Sequence, residues 1–145
     1  MKRLLLLLPL VIGAQQPLLE PVQPVLAWIY PAGGQRGTTV EVTASGTAIA
    51  PQSVLITGGG VTARVVDAKD PAKVRIAVAI APDAEPGVRE LRILNAGGVS
   101  NRSRFAVGQL PEINEVEPNS ERSQAQNIAS WPLVDRKSTR LNSSH

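Results

Sequence analysis

Hydrophobic and polar positions alternate along much of the chain. In Thr38–Ser45, Val40, Val42 and Ala44 fall on one face, and Thr39, Glu41 and Thr43 on the other. Lys73–Ile80 repeats the pattern: Val74, Ile76, Val78 and Ile80 oppose Lys73, Arg75, Ala77 and Ala79. Val61–Val66 sets Val61, Ala63 and Val65 against Thr62, Arg64 and Val66. A period of two, rich in β-branched residues, is the mark of a strand with one buried and one wet face. Val88–Leu94 points Leu91 and Ile93 inward, with Arg89 and Glu90 near its entry, and Arg104–Val107 does the same with Phe105 and Val107. Val25–Tyr30 and Ser53–Thr57 complete the set. Between the strands stand Pro31-Ala32-Gly33-Gly34, Gly58-Gly59-Gly60 and Asn95-Ala96-Gly97-Gly98, which read as turns.

Seven short strands over residues 25–107, with no helical period of comparable quality, predict an all-β sandwich of antiparallel sheets. The expected core is Val40, Val42, Val74, Ile76, Val78, Leu91, Ile93 and Phe105, with Trp28 as a second large filler. Trp28 and Tyr30 are read as the edge of that core; an exposed aromatic platform for sugar is the alternative.

The two ends of the chain differ from its middle. Met1-Lys2-Arg3, the apolar run Leu4–Ile12 and the small residues Gly13-Ala14 follow the order of a secretory signal peptide, with cleavage expected after Ala14. Nine apolar residues are too few to span a bilayer as a helix, and no Cys follows to carry a lipoprotein anchor. Residues 15–24 are then a linker. At the other end, residues 135–145 match, residue for residue, one translated frame of a common short-read sequencing adapter. They are expected to be a scar outside the fold, with natural sequence continuing beyond Val134.

Setting both ends aside changes the charge. Residues 15–134 carry ten basic and eleven acidic side chains, a net −1 instead of the +3 of the whole chain. A basic face with stacking aromatics, needed for nucleic acid, is absent. The sequence holds no Cys, and its one His, His145, lies in the tail. Disulfides, thiolate metal sites, Cys nucleophiles and Ser-His-Asp chemistry are therefore excluded from this segment.

No residue is assigned a catalytic, cofactor-binding or metal-binding role, and no cofactor is expected. Gly33-Gly34 and Gly58-Gly59-Gly60 lack the Lys-Ser/Thr and helix that a phosphate cradle requires, so they read as turn glycines. Asp67, Asp70, Asp83 and Glu85 are a conceivable calcium set, but without EF-hand-like spacing they default to solvated loop carboxylates. Glu115, Glu117 and Asn119 form a second oxygen-rich group, read as interdomain hydrogen bonding. Asn101-Arg102-Ser103 fits the glycosylation pattern, a triplet common by chance.

The segment Ile29-Tyr30-Pro31-Ala32-Gly33-Gly34-Gln35-Arg36-Gly37-Thr38 resembles the opening of an IPT/TIG-type immunoglobulin-like domain. Pro86-Gly87-Val88-Arg89-Glu90-Leu91-Arg92-Ile93, followed by Gly97-Gly98-Val99-Ser100-Asn101, resembles its closing hairpin. The order of the pieces over residues 25–107 carries the resemblance, which implies a non-catalytic immunoglobulin-like module of a secreted or surface protein. Glu112-Ile113-Asn114-Glu115-Val116-Glu117-Pro118-Asn119 and then Ala125-Gln126-Asn127-Ile128-Ala129-Ser130-Trp131-Pro132 resemble the start of a bacterial pre-peptidase C-terminal domain, cut short. Residues 108–134 are accordingly a linker and the beginning of a second sandwich.

The expected function is that of a spacer or a protein- or ligand-binding module in the secreted, periplasmic or cell-surface compartment. Its expected partner is a protein or glycan at the cell surface, not nucleic acid, and no stable membrane span remains after signal cleavage. Two alternatives stay open: the accessory region of a secreted hydrolase whose catalytic domain lies elsewhere, and a carbohydrate-binding module.

Overall fold

The computed structural model describes residues 21–114, 116, 121–127 and 134–136. The expected signal peptide, most of the linker after it, Glu115, Glu117, Asn119 and residues 137–145 lie outside these. The strands are β1 (Val25–Tyr30), β2 (Gly33–Gln35), β3 (Thr39–Thr47), β4 (Ser53–Ile56), β5 (Val61–Asp70), β6 (Lys73–Ile80), β7 (Gly87–Asn95), β8 (Gly98–Val99), β9 (Ser103–Gly108), β10 (Glu112–Asn114) and β11 (Val134–Arg136).

One sheet has the order β1-β3-β6-β5, and the other β2-β9-β7-β4, with β8 paired to β7. In immunoglobulin lettering this is A-B-E-D against G-F-C, with β2 as the part of the first strand that crosses to the second sheet. The fold is therefore an immunoglobulin-like β-sandwich. Its seven main strands are those the alternation predicts.

Register explains the core. Val42 pairs with Ile76, Ala44 with Val74 and Val40 with Val78, so the apolar sets of β3 and β6 share the inner face. Across the sandwich they meet Leu91, Ile93, Phe105 and Val107. Of the eight expected core residues, seven are buried. Val40 is half-buried because it lines an open cavity of about 230 Å³ with Pro31, Gly33, Gly34, Gln35, Thr38 and Glu112.

Three expectations are corrected. First, Gly33-Gly34 is not a turn. Pro31 has no N–H to continue the β1 ladder, and Gly33–Gln35 pairs in parallel with Ala106–Gly108 of β9. Second, β5 does not stop at Val66. It runs to Asp70, with irregularities between Val65 and Asp67 and between Asp67 and Asp70, and Val66 is exposed on the side that alternation gives it.

Third, Trp28 is not a core filler; it is 42% exposed. Leu26 pairs with Gly46, yet Trp28 pairs with Ser45, so Ala27 is an extra residue on β1. Such a bulge breaks the two-residue alternation. Leu26 and Ile29, three apart, both point into the core, and Trp28 turns out. Gly46 permits this approach, because a Cβ there would stand 2.0 Å from the Val25 carbonyl oxygen.

Asp135 and Arg136, with Val134, form β11, which pairs in parallel with β10 apart from the two sandwich sheets. Backbone pairing needs no apolar stripe, which is why composition gave no sign of it. Residues 22–24, read as linker, lie against the sandwich. Pro24 is fully buried, and the Gln23 side chain donates to the Val99 carbonyl at 2.8 Å.

Candidate functional site

The acidic residues weighed for calcium do not converge. Asp70 lies at one end of the β5–β6 hairpin, opposite Lys73, whereas Asp83 and Glu85 follow the other end, where Val61 meets Ile80. At about 3.3 Å per strand residue the two pairs are more than about 20 Å apart. Each carboxylate of the first pair accepts from the backbone N–H two residues on. Asp67 accepts from Lys69 N at 3.1 Å, and Asp70 accepts from Ala72 N at 2.8 Å. Among the described residues no three His, Cys, Asp or Glu side chains are grouped to hold a metal ion.

The glycine triplet forms a turn with Gly58 and Gly60 at positive φ, and no helix follows it. It borders an open depression of about 500 Å³ with Asp83, Ala84, Glu85 and Arg89. The Arg89 side chain lies over Gly58 and donates from Nη2 to the Glu85 carbonyl, and its Nε is buried without a partner.

Asn101 of the possible glycosylation triplet is structurally engaged. Its carboxamide bonds to both main-chain groups of Leu26. Its neighbour Ser100 is buried, accepts from Ile93 N at 2.9 Å and donates to the Asn101 carbonyl at 2.7 Å.

What the fold presents outward is two sheet faces of different chemistry. On the β2-β9-β7-β4 sheet, Glu90 receives Arg92 and Arg102, each at 3.1 Å. The Arg92 hydrogen bond, then that from Arg102, holds the Glu90 carboxyl below its ordinary range. Arg104 is exposed and stands opposite Glu90 in the ladder. Leu55, 45% exposed, is paired across strands with Arg92, and Val88, 63% exposed, follows on β7. Three arginines around one carboxylate, edged by two exposed aliphatic side chains, make this face basic.

The outer face of the β1-β3-β6-β5 sheet carries a different set. One ladder row runs Tyr30, Thr43, Arg75, Asp67 across all four strands, and the next runs Trp28, Ser45, Lys73. Arg75 bridges Glu41 at 3.0 Å and Asp67 at 3.2 Å. The hydrogen bonds that Arg75 donates to Asp67 and then to Glu41 raise the guanidinium pKa further, while the Lys69 N–H, ahead of Arg75, lowers that of Asp67. Thr43, Asp67, Lys69, Asp70, Lys73 and Arg75 line a shallow depression of about 340 Å³. From the sequence Trp28 and Tyr30 belong at the core edge; Gly46 beside a strand with an odd apolar spacing is the signal for the bulge that turns Trp28 outward.

No protein-family model matches the chain, and no curated protein matches it. Among solved structures it is similar to the crystal structure of the Lin-41 filamin domain, at 9% identity and a TM-score of 0.43, over 61% of this chain and 95% of that one. The immunoglobulin-like assignment rests on the strand order described above.

Proposed function

We propose that the sandwich is a non-catalytic binding module of a larger secreted or surface protein, and that it engages a protein partner through the outer face of the β2-β9-β7-β4 sheet. The observation that carries this reading is the cluster of Arg92, Arg102 and Arg104 around Glu90, bordered by exposed Leu55 and Val88. Arginine beside apolar side chains is the composition of protein interfaces, where the guanidinium stacks and pairs at once. The excess of positive charge on this face selects an acidic partner surface. The signal-peptide-like start and the IPT/TIG-like order of motifs support export and a modular role. In the hydrolase-accessory alternative, residues 15–134 hold neither His nor Cys, so general-base chemistry within them would fall to carboxylates or Lys.

The test is site-specific photo-crosslinking from position 55 or 88 in the native host, with the adduct identified by mass spectrometry. A single acidic partner, lost in Arg102→Glu/Arg104→Glu and kept in Trp28→Ala, is the expected result. Adducts that ignore the charge reversal would overturn the assignment. So would turnover of peptide, ester or glycoside substrates by the purified chain, abolished by changing one of its carboxylates.

A further inference from the structure

The aromatic residues of this chain are few: two Trp, one Tyr and one Phe. Phe105 fills the core. Trp28 and Tyr30 instead stand two residues apart on the same outward face of β1, after a bulge at which the Val25 carbonyl lies 2.0 Å from where a Cβ at Gly46 would stand. Exposing an indole forfeits the burial free energy it would gain in the core. Val25, 52% exposed, extends the same stripe before the bulge.

The neighbours of this stripe are hydrophilic. Ser45 and Thr43 stand beside Trp28 and Tyr30 in the ladder, and Lys73 and Arg75 come next. The span from Trp28 to Lys73 is two strand spacings, about 10 Å. Beyond it lies the depression of about 340 Å³, at the small end of the ~300–1,000 Å³ range of small-molecule sites. Its wall holds a planar guanidinium, Arg75, fixed between the Glu41 and Asp67 carboxylates.

We propose that this outer face binds a neutral, β-linked polysaccharide chain, with Trp28 and Tyr30 stacking against sugar rings and the Glu41–Arg75–Asp67 cluster hydrogen-bonding ring hydroxyls. A pyranose ring has an apolar C–H face and a rim of hydroxyls that both donate and accept. Exposed Trp28 and half-buried Tyr30, beside a row of hydroxyls and charged donors and acceptors, complement both parts. A protein hot spot demands instead that the aromatic be enclosed and fully desolvated, and here its lateral neighbours are Ser45 and Thr43. A polyanion demands an excess of cations, and here Lys69, Lys73 and Arg75 are matched in number by Asp67, Asp70 and Glu41 around the same depression. The proposal deepens the binding-module reading and rests on it, but uses the opposite face of the sandwich.

The test is isothermal titration of the full chain with cellohexaose, laminarihexaose and chitohexaose, together with their monosaccharides. Saturable binding of at least one hexasaccharide is expected, with no binding of its monosaccharide. Trp28→Ala should weaken it at least tenfold, Trp28→Phe should retain most of it, and Asp67→Asn should weaken it several-fold. Arg104→Glu, on the opposite face, should leave it unchanged. The Trp28→Phe variant keeps the test meaningful should Trp28→Ala perturb folding. Failure of all three hexasaccharides to bind, or equal binding by Trp28→Ala, would overturn the proposal. So would a dimer in sedimentation velocity that Trp28→Ala dissolves, since the face would then be covered by a second copy. If crosslinking from positions 55 and 88 still captures its acidic partner, the binding-module reading survives and only the glycan assignment falls.

Discussion

Asn101 pairs through its side chain with both main-chain groups of Leu26: Leu26 N–H donates to Asn101 Oδ1 at 2.7 Å, and Asn101 Nδ2 donates to the Leu26 carbonyl at 2.9 Å. A carboxamide presents the same donor and acceptor as a peptide group, so Asn101 continues the ladder where no strand lies beside β1. An open strand edge is a template for aggregation, and a side chain that occupies it removes that hazard. Ser100 and Asn101, which resemble the end of a closing hairpin, thus have a physical reason to stand together. Ser100 holds Ile93 from within, and Asn101 holds Leu26 across the gap between sheets.

Asn101→Ala should lower unfolding free energy by about 1–2 kcal/mol, the cost of leaving partly buried backbone groups unpaired. Asn101→Asp should cost a similar amount, because a carboxylate still accepts from Leu26 N but cannot donate to its carbonyl. Urea denaturation of the purified chain checks both. Wild-type stability in Asn101→Ala would show that the pairing is not what fastens β1.

Gly46→Ala places a methyl against the Val25 carbonyl oxygen. The bulge must open or shift, and a cost of about 1–3 kcal/mol is expected, as for overpacking elsewhere. The intrinsic fluorescence should change with it, since the environment of Trp28 is set by the same bulge. Unaltered stability and emission would show that β1 tolerates the methyl without rearrangement.

Phe105→Ala and Trp28→Ala should separate sharply. Phe105 is fully buried in the shared core of both sheets, so its truncation should cost about 3–5 kcal/mol. Trp28 lies on the outer face, and its truncation should stay within about 1 kcal/mol. Thermal melts of the two variants decide it. Equal losses would place Trp28 in the core after all.

Acid should loosen the sandwich through Asp67 and Glu90. Both carboxyls titrate lower in the folded chain, Asp67 through the Lys69 N–H and then Arg75, Glu90 through Arg92 and then Arg102. A depressed carboxyl pKa stabilises the fold above its unfolded value, and the stabilisation is lost as pH falls through the folded value. Stability should therefore hold at neutral pH and decline below the ordinary carboxylate range. The double variant Asp67→Asn/Glu90→Gln should flatten that decline, and added salt should reduce it, because both pairs are solvent-exposed. Denaturation midpoints measured across the acid range check the slope. An unchanged slope in the double variant would assign acid sensitivity to other groups.

The sequence by itself determined the seven main strands of the sandwich. Val40-Glu41-Val42-Thr43-Ala44 and Val74-Arg75-Ile76-Ala77-Val78 have one buried face whatever they pair with, because the two-residue period of a strand is local. It also determined the absence of thiol and imidazole chemistry from residues 15–134, since that follows from which side chains are present. Tertiary structure decided what depends on a second segment. Whether Gly33-Gly34 turns or pairs is settled by β9 arriving beside it. Whether Asn101 is a free amide is settled by Leu26, 75 residues earlier in the chain. Whether Trp28 faces in or out depends on Gly46, a residue of the neighbouring strand that lets Ala27 bulge and shifts the parity of everything after it. Alternation reports the faces of one strand; a bulge is a mismatch between two, and only their pairing reveals it.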